Sequence, residues 1–193
     1  MTVVVGYEVG GVYRFAADTR WTIGTTNRTV EGSKLYRAGP WMFGESGDEV
    51  LLTTVRRRLT LDKKIRNRDL SYLQDVIHTT AKEYKEECWV LTYHPDFGVN
   101  AISEAGRVTP STARYLAVGS GAPYVAAFIN GLDWNACEGG SVVEEIDVEN
   151  RTVTLHPQNP SYFRLEDIHV EGAIATAAWL DTTVGGYELM VYE

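Results

Sequence analysis

The spacing of apolar residues changes period several times along the chain, and each change marks an element. Residues 2–9, Thr-Val-Val-Val-Gly-Tyr-Glu-Val, are β-branched and aromatic and predict a strand. Gly10-Gly11 is a hairpin signal, and residues 12–17 return as a second strand that stops at Asp18. Residues 19–33, rich in Thr, Gly and Asn, predict short strands and turns. Lys34 to Arg37 is a candidate strand, and Trp41-Met42-Phe43 a buried one that runs into Gly44-Glu45-Ser46-Gly47-Asp48. Ser46 or Asp48 can cap the helix that follows over about 48–60, where Val50, Leu51, Thr54, Val55 and Leu59 recur near helical period. A second amphipathic helix is predicted over about 70–86, with Leu70, Leu73, Val76, Ile77, Thr80, Ala81 and Tyr84 on one face.

Past the helices, Cys88 to Tyr93 is an apolar strand, and 94–118 alternates strand and turn up to Tyr115-Leu116-Ala117-Val118. Gly119-Ser120-Gly121 breaks that strand and opens a helix over about 122–132. Residues 141–155 predict a hairpin, 166–180 a helix, and Tyr187 to Tyr192 a final strand after Gly185-Gly186. Runs of strands alternating with pairs of helices indicate α+β with layered sheets. Two antiparallel sheets between two helical layers, a four-layer αββα sandwich, would bury both faces of each sheet. At 193 residues the whole chain is expected to be one domain.

Composition narrows the function. Hydrophobic residues make up 44% and charged residues 23%, an ordinary globular balance that excludes a wholly disordered chain. Lys+Arg 18 against Asp+Glu 26 gives a net charge of −8, so a basic footprint for nucleic acid is missing. No apolar stretch approaches the ~20 residues of a membrane span. The N-terminus lacks the basic region of a secretory signal, which leads to an expectation of cytoplasmic residence. Cys88 and Cys137 are too few for a disulfide framework or a Cys-rich metal site. His78, His94, His156 and His169 show no HxxH or HExxH spacing, and no phosphate-binding glycine motif is present. Neither metal nor cofactor is expected.

Thr2 is the unusual feature. Methionine is normally trimmed ahead of a small side chain, and trimming would leave Thr2 with a free α-amine beside its own Oγ. That pair is a nucleophile with a built-in base, because an amine of reference pKa ~7.7–8.0 can take the hydroxyl proton near neutrality. Asp18 ends the hairpin partner of the strand that Thr2 starts, and Lys34 begins another candidate strand. A lysine ammonium near Thr2 would stabilise negative charge on Oγ, and Asp18 could hold it there. Gly44, at a strand-to-helix junction, is the candidate backbone donor to an oxyanion.

These residues resemble the proteasome β-subunit family of N-terminal nucleophile (Ntn) hydrolases, and especially the bacterial proteasome-like peptidase that works with a ring ATPase. The resemblance rests on Thr2-Val3-Val4-Val5, Ala16-Ala17-Asp18, Gly32-Ser33-Lys34-Leu35 and Phe43-Gly44-Glu45-Ser46-Gly47-Asp48. It continues through Ala117-Val118-Gly119-Ser120-Gly121-Ala122-Pro123-Tyr124, its most specific piece, to Asp181-Thr182-Thr183-Val184-Gly185-Gly186. It implies Thr2 as nucleophile, Lys34 as charge stabiliser, Asp18 as its partner, Gly44 as oxyanion donor, and Ser120 and Asp181 as accessory polar residues around the amine. It also implies a threonine endopeptidase acting on unfolded polypeptide inside a homo-oligomeric ring, with a ring ATPase as candidate partner. The sequence departs from the family at Val184, where a serine is usual, at Glu45, a charge beside the expected site, and at the hairpin 141–155, an insertion expected at the outer rim or between rings. A non-catalytic ring subunit and an Ntn amidase acting on small substrates are the alternatives.

Overall fold

The chain opens with an antiparallel hairpin, β1 (Val4–Val9) and β2 (Val12–Ala17), turned at Gly10-Gly11, where both glycines have positive φ. This computed structural model describes residues 2–23, 28–111, 114–136, 142–147, 152–157, 165–180 and 185–192. A small hairpin, β3 (Arg20–Ile23) with β4 (Arg28–Glu31), leads to a second one, β5 (Leu35–Ala38) with β6 (Trp41–Gly47). Helices α1 (Glu49–Leu61) and α2 (Leu70–Tyr84) follow, separated by a 3₁₀ turn at Ile65–Asn67. Asp48, rather than Ser46, caps α1, accepting from the N–H of Leu51 at 2.9 Å. Lys85, at φ 60°, ends α2 two residues before the end expected from its pattern.

Four strands follow: β7 (Cys88–His94), β8 (Gly98–Ser103), β9 (Val108–Pro110) and β10 (Tyr115–Val118). Helix α3 (Ala122–Ala136) continues past Gly131, beyond the end expected at 132. The inserted hairpin forms as β11 (Val142–Asp147) and β12 (Thr152–Pro157), and α4 (Asp167–Leu180) and β13 (Glu188–Val191) complete the order.

Among the described residues the strands form a six-stranded sheet, β11-β12-β10-β1-β2-β13, a five-stranded sheet, β5-β6-β7-β8-β9, and the β3-β4 pair. Every strand pairing is antiparallel. The inserted hairpin extends the six-stranded sheet beyond β10, through the pairing of Ala117 with Val153. Three cores separate four layers. Val5, Tyr7, Val125, Ile129, Val170 and Ile174 join the six-stranded sheet to α3 and α4. Val4, Phe15, Met42, Leu91 and Leu116 fill the space between the sheets. Phe43, Val90, Leu51, Leu59, Leu73 and Ile77 join the five-stranded sheet to α1 and α2. A strand covered on both faces has no polar alternation, which is why Val3-Val4-Val5 reads as a continuous apolar run. The result is the αββα sandwich of the Ntn-hydrolase fold.

The two sheets approach closely at Gly44. A Cβ there would lie 2.4 Å from Val4 Cγ1 and 3.2 Å from Leu35 Cδ2. Gly44→Ala is therefore expected to push the sheets apart beside the chain start and to cost about 1–3 kcal/mol, the usual range for overpacking. Urea unfolding would read this as a lowered midpoint at unchanged slope. An unchanged midpoint would mean that the sheets yield without cost.

Candidate functional site

Strand register brings the N-terminal segment and three distant segments together. Val4 pairs with Ala17 on one side and with Val118 on the other, so residues 2 and 3 lie between Asp18 and the turn 119–121. Asp18 Oδ1 accepts the N–H of Val3 at 2.7 Å, and Asp18's own N–H donates to Val3 O at 3.2 Å. Across the strand, Gly121 N–H donates to Thr2 O at 3.1 Å and Thr2 N lies 3.2 Å from Ser120 Oγ. The turn sits so close over Thr2 that a Cβ at Gly119, whose φ is +96°, would be 2.2 Å from Thr2 O and 2.5 Å from Ser46 Oγ. Only glycine fits there.

Lys34 arrives by a different route. The β3-β4 hairpin pairs Arg20 with Glu31 and returns the chain beside Thr19, whose carbonyl accepts from Gly32 N–H at 2.8 Å. Lys34 then points inward, fully buried, as Asp18 is. Its Nζ donates to Asp18 Oδ2 at 2.7 Å, to Thr2 Oγ1 at 3.2 Å and to Arg20 O, and lies 5.1 Å from the centre of the Trp21 ring. Asp18 Oδ2 also accepts from Arg20 N–H at 3.2 Å. Thr2 is itself buried, with 7% of its surface exposed.

Burial drives the Lys34 and Asp18 titrations toward neutrality, lowering the first and raising the second; their mutual attraction and hydrogen bonds oppose this. A lysine with a lowered pKa, bonded to a hydroxyl, favours an ionised Oγ and can pass a proton within the cluster.

Gly44 stands outside this cluster. Glu45 N–H donates to Lys34 O on the β5 side, and Asp48 N–H donates to Glu87 O on the opposite side. Backbone groups alternate along a strand, so the N–H of Gly44 points to Leu91 of β7, its ladder partner. The expected oxyanion donor is thus turned away. The same alternation turns the N–H of Gly47 to the side of Lys34, past the start of β5. Gly47 has φ +140°, and a Cβ there would be 2.5 Å from Glu87 O. Sequence reading passed over it; its place directly before the helix-capping Asp48 was the available signal. Thr2, Asp18, Lys34 and Ser120 are thus brought together, whereas Asp181 and Val184 lie outside the described residues.

Glu45, the charge that looked out of place, is turned into the layer beneath α1. It is 1% exposed, and Arg56 of α1 binds its Oε2 at 2.6 Å and stacks over Tyr36. Tyr36 lies beside Glu45 in the same buried layer and interacts with its carboxyl. Burial, opposed by the Arg56 charge, pushes the Glu45 carboxyl up to about 7.

Comparison with solved structures returns one fold. HslV from Trypanosoma brucei is 16% identical, with 98% of each chain covered and a TM-score of 0.63. The Thiobacillus denitrificans protein BPH, solved in complex with epoxomicin, is 17% identical over 99% of this chain and 98% of its own, at a TM-score of 0.66. Anbu (ancestral beta-subunit) from Yersinia bercovieri is 12% identical over 98% of this chain and 81% of its own, at 0.68. No protein-family model matches the sequence, and no curated protein is similar to it in sequence. The chain therefore has the proteasome-type Ntn fold, at sequence identities too low to carry activity with it.

The Glu45 site makes stability depend on pH. Its carboxyl titrates near 7 when folded and near 4.5 when free, so between those values the folded chain holds a proton that the unfolded chain has lost. Stability contributed by this group is highest below pH 4.5 and declines as pH rises to 7. Relative to Glu45→Gln, the native chain should lose up to about 3 kcal/mol across that window. Urea titrations at several pH values would measure it, and a difference flat in pH would refute the assignment.

Proposed function

We propose that this chain is a threonine peptidase in which Thr2, freed by removal of Met1, is the N-terminal nucleophile. The hydrogen bond from Lys34 Nζ to Thr2 Oγ1 carries the reading: a fully buried ammonium held by Asp18 has few other reasons to point at a hydroxyl on the chain start. With Met1 gone, the nitrogen of Thr2 becomes an α-amine beside Ser120 Oγ. Thr2 Oγ attacks the scissile carbonyl while the amine takes its proton and delivers it to the departing amine of the substrate. This leaves an ester on Thr2. Water, deprotonated by the same amine, hydrolyses the ester and restores the hydroxyl. The Gly47 N–H is the backbone donor for the tetrahedral oxyanion, in place of Gly44, and the Lys34 charge holds the ionising Oγ.

The substrate class follows from the resemblance to the proteasome β-subunits: unfolded polypeptide, cut within a closed cytosolic ring of this chain, with a ring ATPase feeding it. Val50 and Leu61 on α1, and Ile168 and Leu180 on α4, are large apolar side chains left exposed on a single subunit, which suits burial between copies. The inserted hairpin, at the end of the six-stranded sheet, falls at a rim of such a ring.

Two experiments test the reading. Epoxomicin, the compound bound to the Thiobacillus denitrificans protein, should add covalently to Thr2 in protein lacking Met1, as intact mass would show. Thr2→Ala should abolish both the adduct and peptide hydrolysis while the fold persists, and Lys34→Ala should slow hydrolysis by about 10²–10³-fold. Absence of any adduct on a correctly trimmed chain would favour a non-catalytic subunit; turnover of small amides without casein would favour an amidase. Light scattering should give several subunit masses at micromolar concentration. A monomer that persists at low and high salt would remove the ring.

A further inference from the structure

The backbone of Lys34 is bonded to a carboxylate 154 residues away. The segment Ser33-Lys34-Leu35 enters β5, which among the described residues is the edge strand of its sheet. Glu188, from β13 of the other sheet, occupies its outer side. Its Oε1 accepts from the N–H of Lys34 and, at 3.2 Å, from the N–H of Leu35; its Oε2 accepts from Ser33 Oγ at 2.6 Å. The pairing of Glu188 with Ala17 sets this carboxylate one residue from Asp18, so β13 spans both members of the buried ion pair. On its other side the segment is met by Glu45 N–H, 3.0 Å from Lys34 O, and by Arg56, 2.9 Å from Ser33 O.

We propose that Glu188 is a positioning residue for the reaction at Thr2: its carboxylate fixes the backbone of residues 33–35 and so sets where Lys34 Nζ stands relative to Thr2 Oγ1. The inference rests on the threonine-peptidase reading. A carboxylate at this reach is suited to the task because one oxygen accepts two adjacent backbone N–H groups while the other accepts the Ser33 hydroxyl. The ammonium has little tolerance for movement. Its 3.2 Å contact with Oγ1 already stands at the long end of hydrogen bonding, and a displacement of about 1 Å can cost about 10²-fold in rate.

The test compares Glu188→Ala, Glu188→Asp and Glu188→Gln. Asp keeps the charge but is one methylene too short; Gln keeps an acceptor oxygen at full reach without the charge. Covalent addition of epoxomicin to Thr2 and kcat for a peptide should both fall by about 10²-fold in the Ala and Asp variants, with KM unchanged, and stay near the native value in the Gln variant. Amide hydrogen exchange at Lys34 and Leu35, which needs no activity, should speed up about tenfold or more in Ala and Asp but not in Gln. If the Ala variant fails to fold, the Asp variant supplies the same comparison. Native rates in Ala and Asp would overturn the proposal, and so would a Gln variant as slow as Ala, which would assign the effect to charge. A native chain to which epoxomicin does not add overturns the peptidase reading and the positioning role with it, and it is told apart from the other failures because the unsubstituted protein is already inert.

Discussion

The architecture around the chain start depends on one ion pair, Lys34 with Asp18, sealed from water between the ends of the strands. Removing both charges from solvent costs several kcal/mol per ion, and their attraction offsets that only if every remaining valence is used. Here they are used. Asp18 accepts from Val3, Arg20 and Lys34; Lys34 donates to Asp18, Thr2 and the carbonyl of Arg20, with Trp21 against its ammonium. Those partners come from the N-terminal segment, the end of β2, the start of β3 and the entry to β5. The pair therefore acts as a register pin: the first hairpin, the β3-β4 excursion and the entry to β5 satisfy it only when all three are in place.

The second buried carboxylate obeys different rules. Asp18 is met by a buried ammonium and two backbone N–H groups, whereas the charge bonded to Glu45 is a partly exposed guanidinium on one oxygen. Burial raises the pKa of both carboxyls, opposed at Asp18 by Lys34 and two backbone N–H groups and at Glu45 by Arg56, where it reaches about 7. The two sites are nonetheless joined, because the backbone of Glu45 bonds to that of Lys34 and Arg56 reaches the residue before it. Pressure on the outer helix layer has a short path to the ammonium.

The solved structures with this fold share 12–17% of its residues over almost the whole chain. Such likeness is of layers and register, which many sequences can satisfy with apolar side chains of suitable size. Function has to be argued from the site. What distinguishes the site is polar groups buried at a cost that packing alone gives no reason to bear.

Local pattern was enough for most elements. The apolar run Val3-Val4-Val5, the Gly10-Gly11 turn, the helical spacing over α1 and α2 and the hairpin in the insertion are all set by neighbours a few residues apart, so periodicity and turn chemistry reveal them. The same text yielded Thr2, Asp18, Lys34 and Ser120, because their types and positions at strand ends suggested one chemistry. Tertiary structure decided what depends on orientation and on distant segments. Which side of β6 a glycine N–H faces is a matter of strand alternation, which sends that of Gly44 to β7 and that of Gly47 to the other side, and residue types along the chain do not show it. Glu45 looked like a charge in the site, yet its face of β6 packs under α1, where Arg56 waits. Glu188 had no local mark at all: a carboxylate two residues after a glycine pair in an edge strand becomes a clamp only when two sheets fold so that β13 passes the start of β5.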